Sequence, residues 1–234
     1  MGVLICTGLI KTDKSLIAQQ IKYLFLKEIH VEWKQKYAFN GLLLYVIATV
    51  FICYLSFKQI IELPTWNALF WIIQVFAGVN AVAKSFLQES RGLTLYYYSI
   101  ADPRAIILSK ILYNLCLMLV LSAFNLLFYS LFVGNPVENL PMFILGMLLG
   151  SAGFSAVLTM ISAIASRAGQ NTTLMSVLGF PVLIPLLMTT IRFSKNAMDG
   201  LPWSVSSSLV IILVSLNLMV VALTFLLFPY LWRD

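Results

Sequence analysis

Lys84 to Arg104, KSFLQESRGLTLYYYSIADPR, decides the fold, because it is a dense polar segment set between two apolar runs, Trp66–Ala83 and Ala105–Val133. Each run is long enough to cross a bilayer, whose hydrocarbon core takes about 20 apolar residues per helix. Working outward from the loop, further runs of this kind are Gly41–Phe57, Leu140–Ala165, Thr172–Ile191 and Val205–Trp232, which makes six. The 234 residues are 61% hydrophobic and only 10% charged, whereas soluble domains carry about a quarter charged residues. The chain therefore reads as an all-α integral membrane protein with six spans.

Lys and Arg set the orientation of such a protein, and acidic residues contribute little. With both termini inside, 12 of the 15 basic residues lie on the inner side, and only Lys58, Arg192 and Lys195 lie outside. The sequence thus predicts an N-in, C-in topology with the Lys84–Arg104 loop on the inner face. The net charge of +6 then serves orientation and contact with anionic lipid headgroups. No basic stripe is interleaved with aromatics on a soluble face, so nucleic acid is not an expected partner.

The chain divides into residues 1–38 and a six-span transmembrane domain, 39–234. Within Ser15–Tyr37, apolar residues Ile17, Ile21, Leu24, Phe25, Ile29 and Trp33 recur at three-to-four spacing among polar neighbours. That pattern predicts an amphipathic helix lying in the headgroup plane. Met1–Ile10 is apolar but lacks a basic n-region and a small-residue cleavage site, which argues against a signal peptide. Cys6 stands where a myristoylation signal needs Ser or Thr. Cys6, Cys53 and Cys116 form no C-x-x-C or C-x-x-C-H, so covalent haem, zinc and a disulfide framework have no ligands to rest on.

The fourth run carries Gly146, Gly150 and Gly153, and small residues at this spacing let helix backbones approach closely. Packing within the bundle is favoured there over a subunit interface. The fifth run holds Pro181 and Pro185, each of which removes a backbone donor and predicts a kinked or broken helix. Broken helices mark transport sites in some carriers, and proline is also simply commoner in membrane helices; both readings stay open. Arg192–Ser204, RFSKNAMDGLPWS, is expected to rest at the outer interface as a short amphipathic or re-entrant piece. No ionisable residue sits deep in any run; Lys110 lies near the inner end of the third and is expected to snorkel. Proton relays usually need such groups. The single histidine, His30, reads as a solvated surface residue. No G-x-x-x-x-G-K-[ST], G-x-S-x-G or H-E-x-x-H occurs, which removes a P-loop, a hydrolase elbow and a zinc protease. A transport bundle without these must draw its energy from another polypeptide, and the Lys84–Arg104 loop is where that energy would enter.

Three stretches then resemble a known family, the cytochrome c maturation permease B or haem exporter protein B family, six-span subunits of ABC transporters. The charged approach KEIHVEWKQKYAFNGLLL, with Lys27, Glu28, Glu32, Lys34, Gln35, Lys36 and Asn40, is similar to the family's. Lys84-Ser85-Phe86, Glu89 and Gly92 resemble its R-S-F-x-x-E-x-x-x-G loop, with one residue fewer before the glycine. FPVLIPLL at 180–187, preceded by Gly150 and Arg167, is the third. The chain departs from the pattern at Tyr96–Asp102, where the family more often has leucines and an extra proline, and Met1 to about Gln20 has no counterpart.

The resemblance implies a bacterial inner-membrane permease subunit for cytochrome c maturation, not itself an enzyme, that binds no cofactor directly. It implies a short cytoplasmic coupling helix between spans 2 and 3, near Phe86–Tyr98. A partner ABC ATPase, the maturation A type, would hydrolyse ATP and dock through Lys84, Phe86, Glu89, Arg91, Gly92 and Tyr97. A haem-handling membrane protein of the C type and a small membrane subunit of the D type complete the complex, and a haem chaperone of the E type is met indirectly. With no histidine pair in this chain, haem is expected to be ligated by a partner. Two alternatives remain: a permease for a lipid-linked or polysaccharide substrate, and a non-transporting membrane scaffold.

Overall fold

The computed structural model describes residues 17–31, 36–57, 62–87, 102–167 and 172–233. Among these residues there are seven helices and no strand. We label them α1 (17–31), α2 (Lys36–Phe57), α3 (Leu63–Leu87), α4 (Pro103–Val133), α5 (Leu140–Arg167), α6 (Thr172–Met198) and α7 (Trp203–Arg233). Five of them, α2, α3, α4, α5 and α7, are long and apolar enough to cross a membrane. Each coincides with a run read from the sequence. The run at Thr172–Ile191 also becomes a helix, α6, whose last turns carry the charges of Arg192 and Lys195.

From α2 to α7 successive helices run in opposite directions, with the end of α2, the start of α3, the end of α4 and the start of α5 brought together by Tyr54, Trp66, Tyr129, Phe132 and Phe143, so the bundle has a loop end, where α3 stops and α4 begins, and a far end. At its heart is α5, which packs against α3, α4, α6 and α7, while α2 lies outside against α3 and α4. Burial follows this order: 72% of the α5 span is buried inside the bundle, against 17% for α7. A helix that is apolar all round belongs either in a core or against lipid, and α5 and α7 illustrate the two cases.

The far half is built from large aromatic side chains. Trp66 and Phe70 of α3 stack at 5.7 Å, Trp66 meets Tyr129 of α4 at 4.8 Å, and Phe70 meets Phe143 of α5 edge-on at 5.4 Å. Indole donors need acceptors when buried: Trp66 Nε1 donates to Gly134 O at 3.0 Å, and Trp71 Nε1 donates to Ser194 Oγ at 2.8 Å. Ser194 in turn donates to Asn67 Oδ1 at 2.7 Å, and Asn67 Nδ2 donates to Ile191 O at 2.9 Å. Helices α3 and α6 are thereby tied across the core.

Arg192–Ser204 is not a separate interfacial or re-entrant piece. Residues 192–198 continue α6, and only 199–202 connect it to α7. The charges at Arg192 and Lys195 do not stop a helix; Gly200 does, with φ +66 and a bond from Leu201 N to Asn196 O at 3.0 Å. This pairing of a left-handed residue with a reach back over the last turn is the Schellman ending that glycine permits. Asn139 fixes the neighbouring helix start: its N–H donates to Ala197 O at 3.0 Å, and its side-chain oxygen accepts from Met142 N at 3.2 Å.

Candidate functional site

The loop end is assembled differently. Asp102 caps α4 by accepting from Arg104 N at 2.8 Å, and Pro103 occupies the first turn, where no N–H is needed. The Asp102 N–H donates to Gln20 Oε1 of α1 at 3.3 Å, a contact across 82 residues of sequence. One turn farther along α1, Leu24 packs into a small apolar cluster of Ile106, Ile107, Ile111, Ala163 and Phe228. A turn beyond that, Glu28 Oε1 meets Lys110 Nζ at 3.4 Å and Lys27 Nζ at 3.3 Å. Gln20, Leu24 and Glu28 follow the four-residue spacing of one helical face, and that face grips the start of α4. The other face stays uncovered: Tyr23, Leu26, Ile29 and Val31 are exposed.

Lys110 does not snorkel. Its side chain is 2% exposed, and it lies about 10 Å along α4 from Pro103 at 1.5 Å per residue. A lone ammonium at such a depth is costly, and a paired one is tolerated; the carboxylate of α1 meets this need. On the opposite side of the same end, the Arg104 guanidinium sits over the Phe225 ring at 5.4 Å and links α4 to α7. The start of α4 is thus held by α1, by the end of α5 through Ala163 and by the end of α7.

Of the docking residues expected from the sequence, Lys84 and Phe86 fall in the last turn of α3. Glu89, Arg91, Gly92 and Tyr97 lie outside the described residues, as does most of the Phe86–Tyr98 coupling segment. Gly146, Gly150 and Gly153 of α5 are brought against other helices. A Cβ at Gly146 would stand 2.7 Å from Phe193, one at Gly150 would stand 2.9 Å from Thr190 and 3.1 Å from Trp71, and one at Gly153 would stand 2.6 Å from Leu186. Pro181 and Pro185 lie within α6, which is helical throughout. Both face outward, away from the core.

Sequence reasoning overlooked a series of buried amides and hydroxyls, because it searched for ionisable groups. Asn67 and Gln74 on α3, Asn114 and Asn125 on α4, and Ser151, Ser155, Thr159 and Ser162 on α5 are all buried. Their separations of seven, eleven, four, four and three residues each return to one helix face, which is a signal the sequence does hold. Among the described residues no group of three or more His, Cys, Asp or Glu side chains comes together. The arrangement is one of buried polar contacts between helices.

A family model described as CcmB protein matches residues 19–230. No curated protein matches the chain, and no solved structure does either.

Proposed function

We propose a function that starts from one fact: the chain belongs to the CcmB protein family. It is a membrane subunit of a cytochrome c maturation ABC transporter. In our reading the bundle crosses the bacterial inner membrane six times with both termini inside, and the loop end faces the cytoplasm. A partner ATPase of the A type docks on residues 84–97 and there hydrolyses ATP. Its closing motion reaches the bundle along two routes, through the end of α3 and through the capped start of α4. Haem is handled by C-type, D-type and E-type partners, and the cycle either moves haem or releases a haem-loaded chaperone.

The observation that carries this reading is the fastening of α1 to the loop's exit. Gln20 holds Asp102, and Glu28 meets buried Lys110, so a force on the loop is delivered to α1 and α4 together. Without such a fastening, a pull on the loop would be lost in an isolated turn.

Glu89→Arg tests it. The variant is expected to insert normally, to lose co-purification of the ATPase and to stop cytochrome c maturation, because breaking a desolvated charge contact costs about 2–5 kcal/mol. Normal co-purification together with normal maturation would remove Glu89 from the docking surface. A bundle that inserts and supports maturation with no ATPase bound would reject the ABC reading itself.

A further inference from the structure

The buried polar series contains oxygen atoms that the protein leaves without donors. Asn114 Oδ1, Asn125 Oδ1 and Ser151 Oγ are fully buried and have no hydrogen-bond partner. Such an atom inside a bundle carries an uncompensated desolvation cost, and hydrocarbon offers no substitute donor.

Turning the amides over does not help. Asn125 Nδ2 donates to Phe70 O at 3.2 Å and to Gln74 Oε1 at 3.4 Å, so the flipped side chain would aim its oxygen at two acceptors. Asn114 Nδ2 donates to Thr159 Oγ1 at 2.8 Å, and the Thr159 hydroxyl is already engaged with Ser155 O. A flipped Asn114 would also face an acceptor. The network fixes both amides with their oxygens unmatched.

The three atoms lie along one seam. Ser151 lies two turns before Thr159 on the face of α5 that meets Asn114, and Gln74 of α3 bonds both to Asn125 and to Met118 O at 3.3 Å. Met118 is one turn from Asn114 on the same helix. Asn217 Oδ1 is also without a donor, but it belongs elsewhere: it lies against Gly153, where a Cβ would stand 3.0 Å from it, close enough for a weak C–H contact.

We propose that the seam between α3, α4 and α5 binds water, with Asn114 Oδ1, Asn125 Oδ1 and Ser151 Oγ as acceptors. A buried water makes two to four hydrogen bonds. Each water brings two O–H donors, one for the unmatched oxygen and one for the lone pair left on Thr159 Oγ1 or on Gln74 Oε1. The interior of the bundle is therefore hydrated along α4 from Asn114 to Asn125, up to the edge of the aromatic far half at Phe70. This holds whatever the transporter carries, since it rests on the polar atoms alone.

Radiolytic hydroxyl-radical footprinting of the full chain in lipid nanodiscs tests it, with H2(18)O as the probe. Radicals born from a bound water oxidise the side chains beside it. Met118 and Met142 are both 0% exposed, but only Met118 lies in the seam. Met118 is expected to be oxidised several-fold faster than Met142 and to take up (18)O, and Asn125→Leu or Asn114→Leu is expected to slow Met118 while leaving Met142 unchanged. Equal rates at the two methionines in the unaltered protein would overturn the proposal even if the variants fail to fold. Unchanged Met118 oxidation in both folded leucine variants would overturn it as well.

Discussion

The two ends of the bundle are held by unlike means. At the far end, Trp66, Phe70, Trp71, Tyr129 and Phe143 are buried in ring-to-ring contact, and the bond from Asn139 N to Ala197 O ties the start of α5 to the α6 ending. At the loop end, a small apolar cluster, the bond from Asp102 N to Gln20 and the Glu28–Lys110 ion pair join α1 to α4. Aromatic packing is area-rich and tolerates little displacement, because close-packed interiors have few alternative arrangements. Single hydrogen bonds at a partly exposed helix start can be exchanged for others at small cost. The difference suits a bundle clamped at one end and worked at the other.

The largest effect is expected where the clamp is tightest. Trp71→Ala removes rings that meet Phe70 at 5.3 Å and Phe154 at 6.0 Å and orphans the Ser194 contact. It should destabilise the bundle by about 3–5 kcal/mol and lower the yield of folded protein in detergent, read by thermal denaturation. A loss below about 1 kcal/mol, the level of an ordinary substitution, would mean that the far end is not the rigid half.

At the loop end, Glu28→Lys should cost about 2–5 kcal/mol by placing a second cation beside buried Lys110. The swap Glu28→Lys with Lys110→Glu should restore most of that, and a double-mutant cycle on thermal stability measures it. Additive losses would show that the pair is incidental. Smaller still is Gly200→Ala, expected to cost about 1 kcal/mol or slightly more through its positive φ; a new Cβ would also collide with the Glu138 carboxylate. A neutral result in the same denaturation assay would loosen the account of the far-end turn.

The contrast between the ends also explains what could be read in advance. Apolar length alone located the runs that become α2 to α7, because a bilayer-sized stretch of Leu, Ile and Phe has few other uses. The three-to-four spacing of Ile17, Ile21, Leu24 and Phe25 announced α1. Its partner was hidden: Glu28 and Lys110 are 82 residues apart, and nothing local marks one as the counter-charge of the other, so Lys110 read as a snorkelling residue. Arg192 and Lys195 look like loop residues in a sequence and are helical here, since the signal that ends α6 is Gly200. The amide and hydroxyl series was present as periodicity but carries no charge, and a search for ionisable groups passes over it. The docking residues Glu89, Arg91, Gly92 and Tyr97 rest on the resemblance and on the loop's place between α3 and α4.

The central claim is that the ATPase works on the loop end while the far end stays fixed. Hydrogen–deuterium exchange of the chain in nanodiscs, with and without the bound ATPase, measures both ends at once. The account predicts slowed exchange in peptides covering residues 17–31 and 84–104, with no change in those covering 134–143 and 196–203. Unchanged exchange at 17–31 and 84–104, or protection that appears at 196–203 instead, would contradict it.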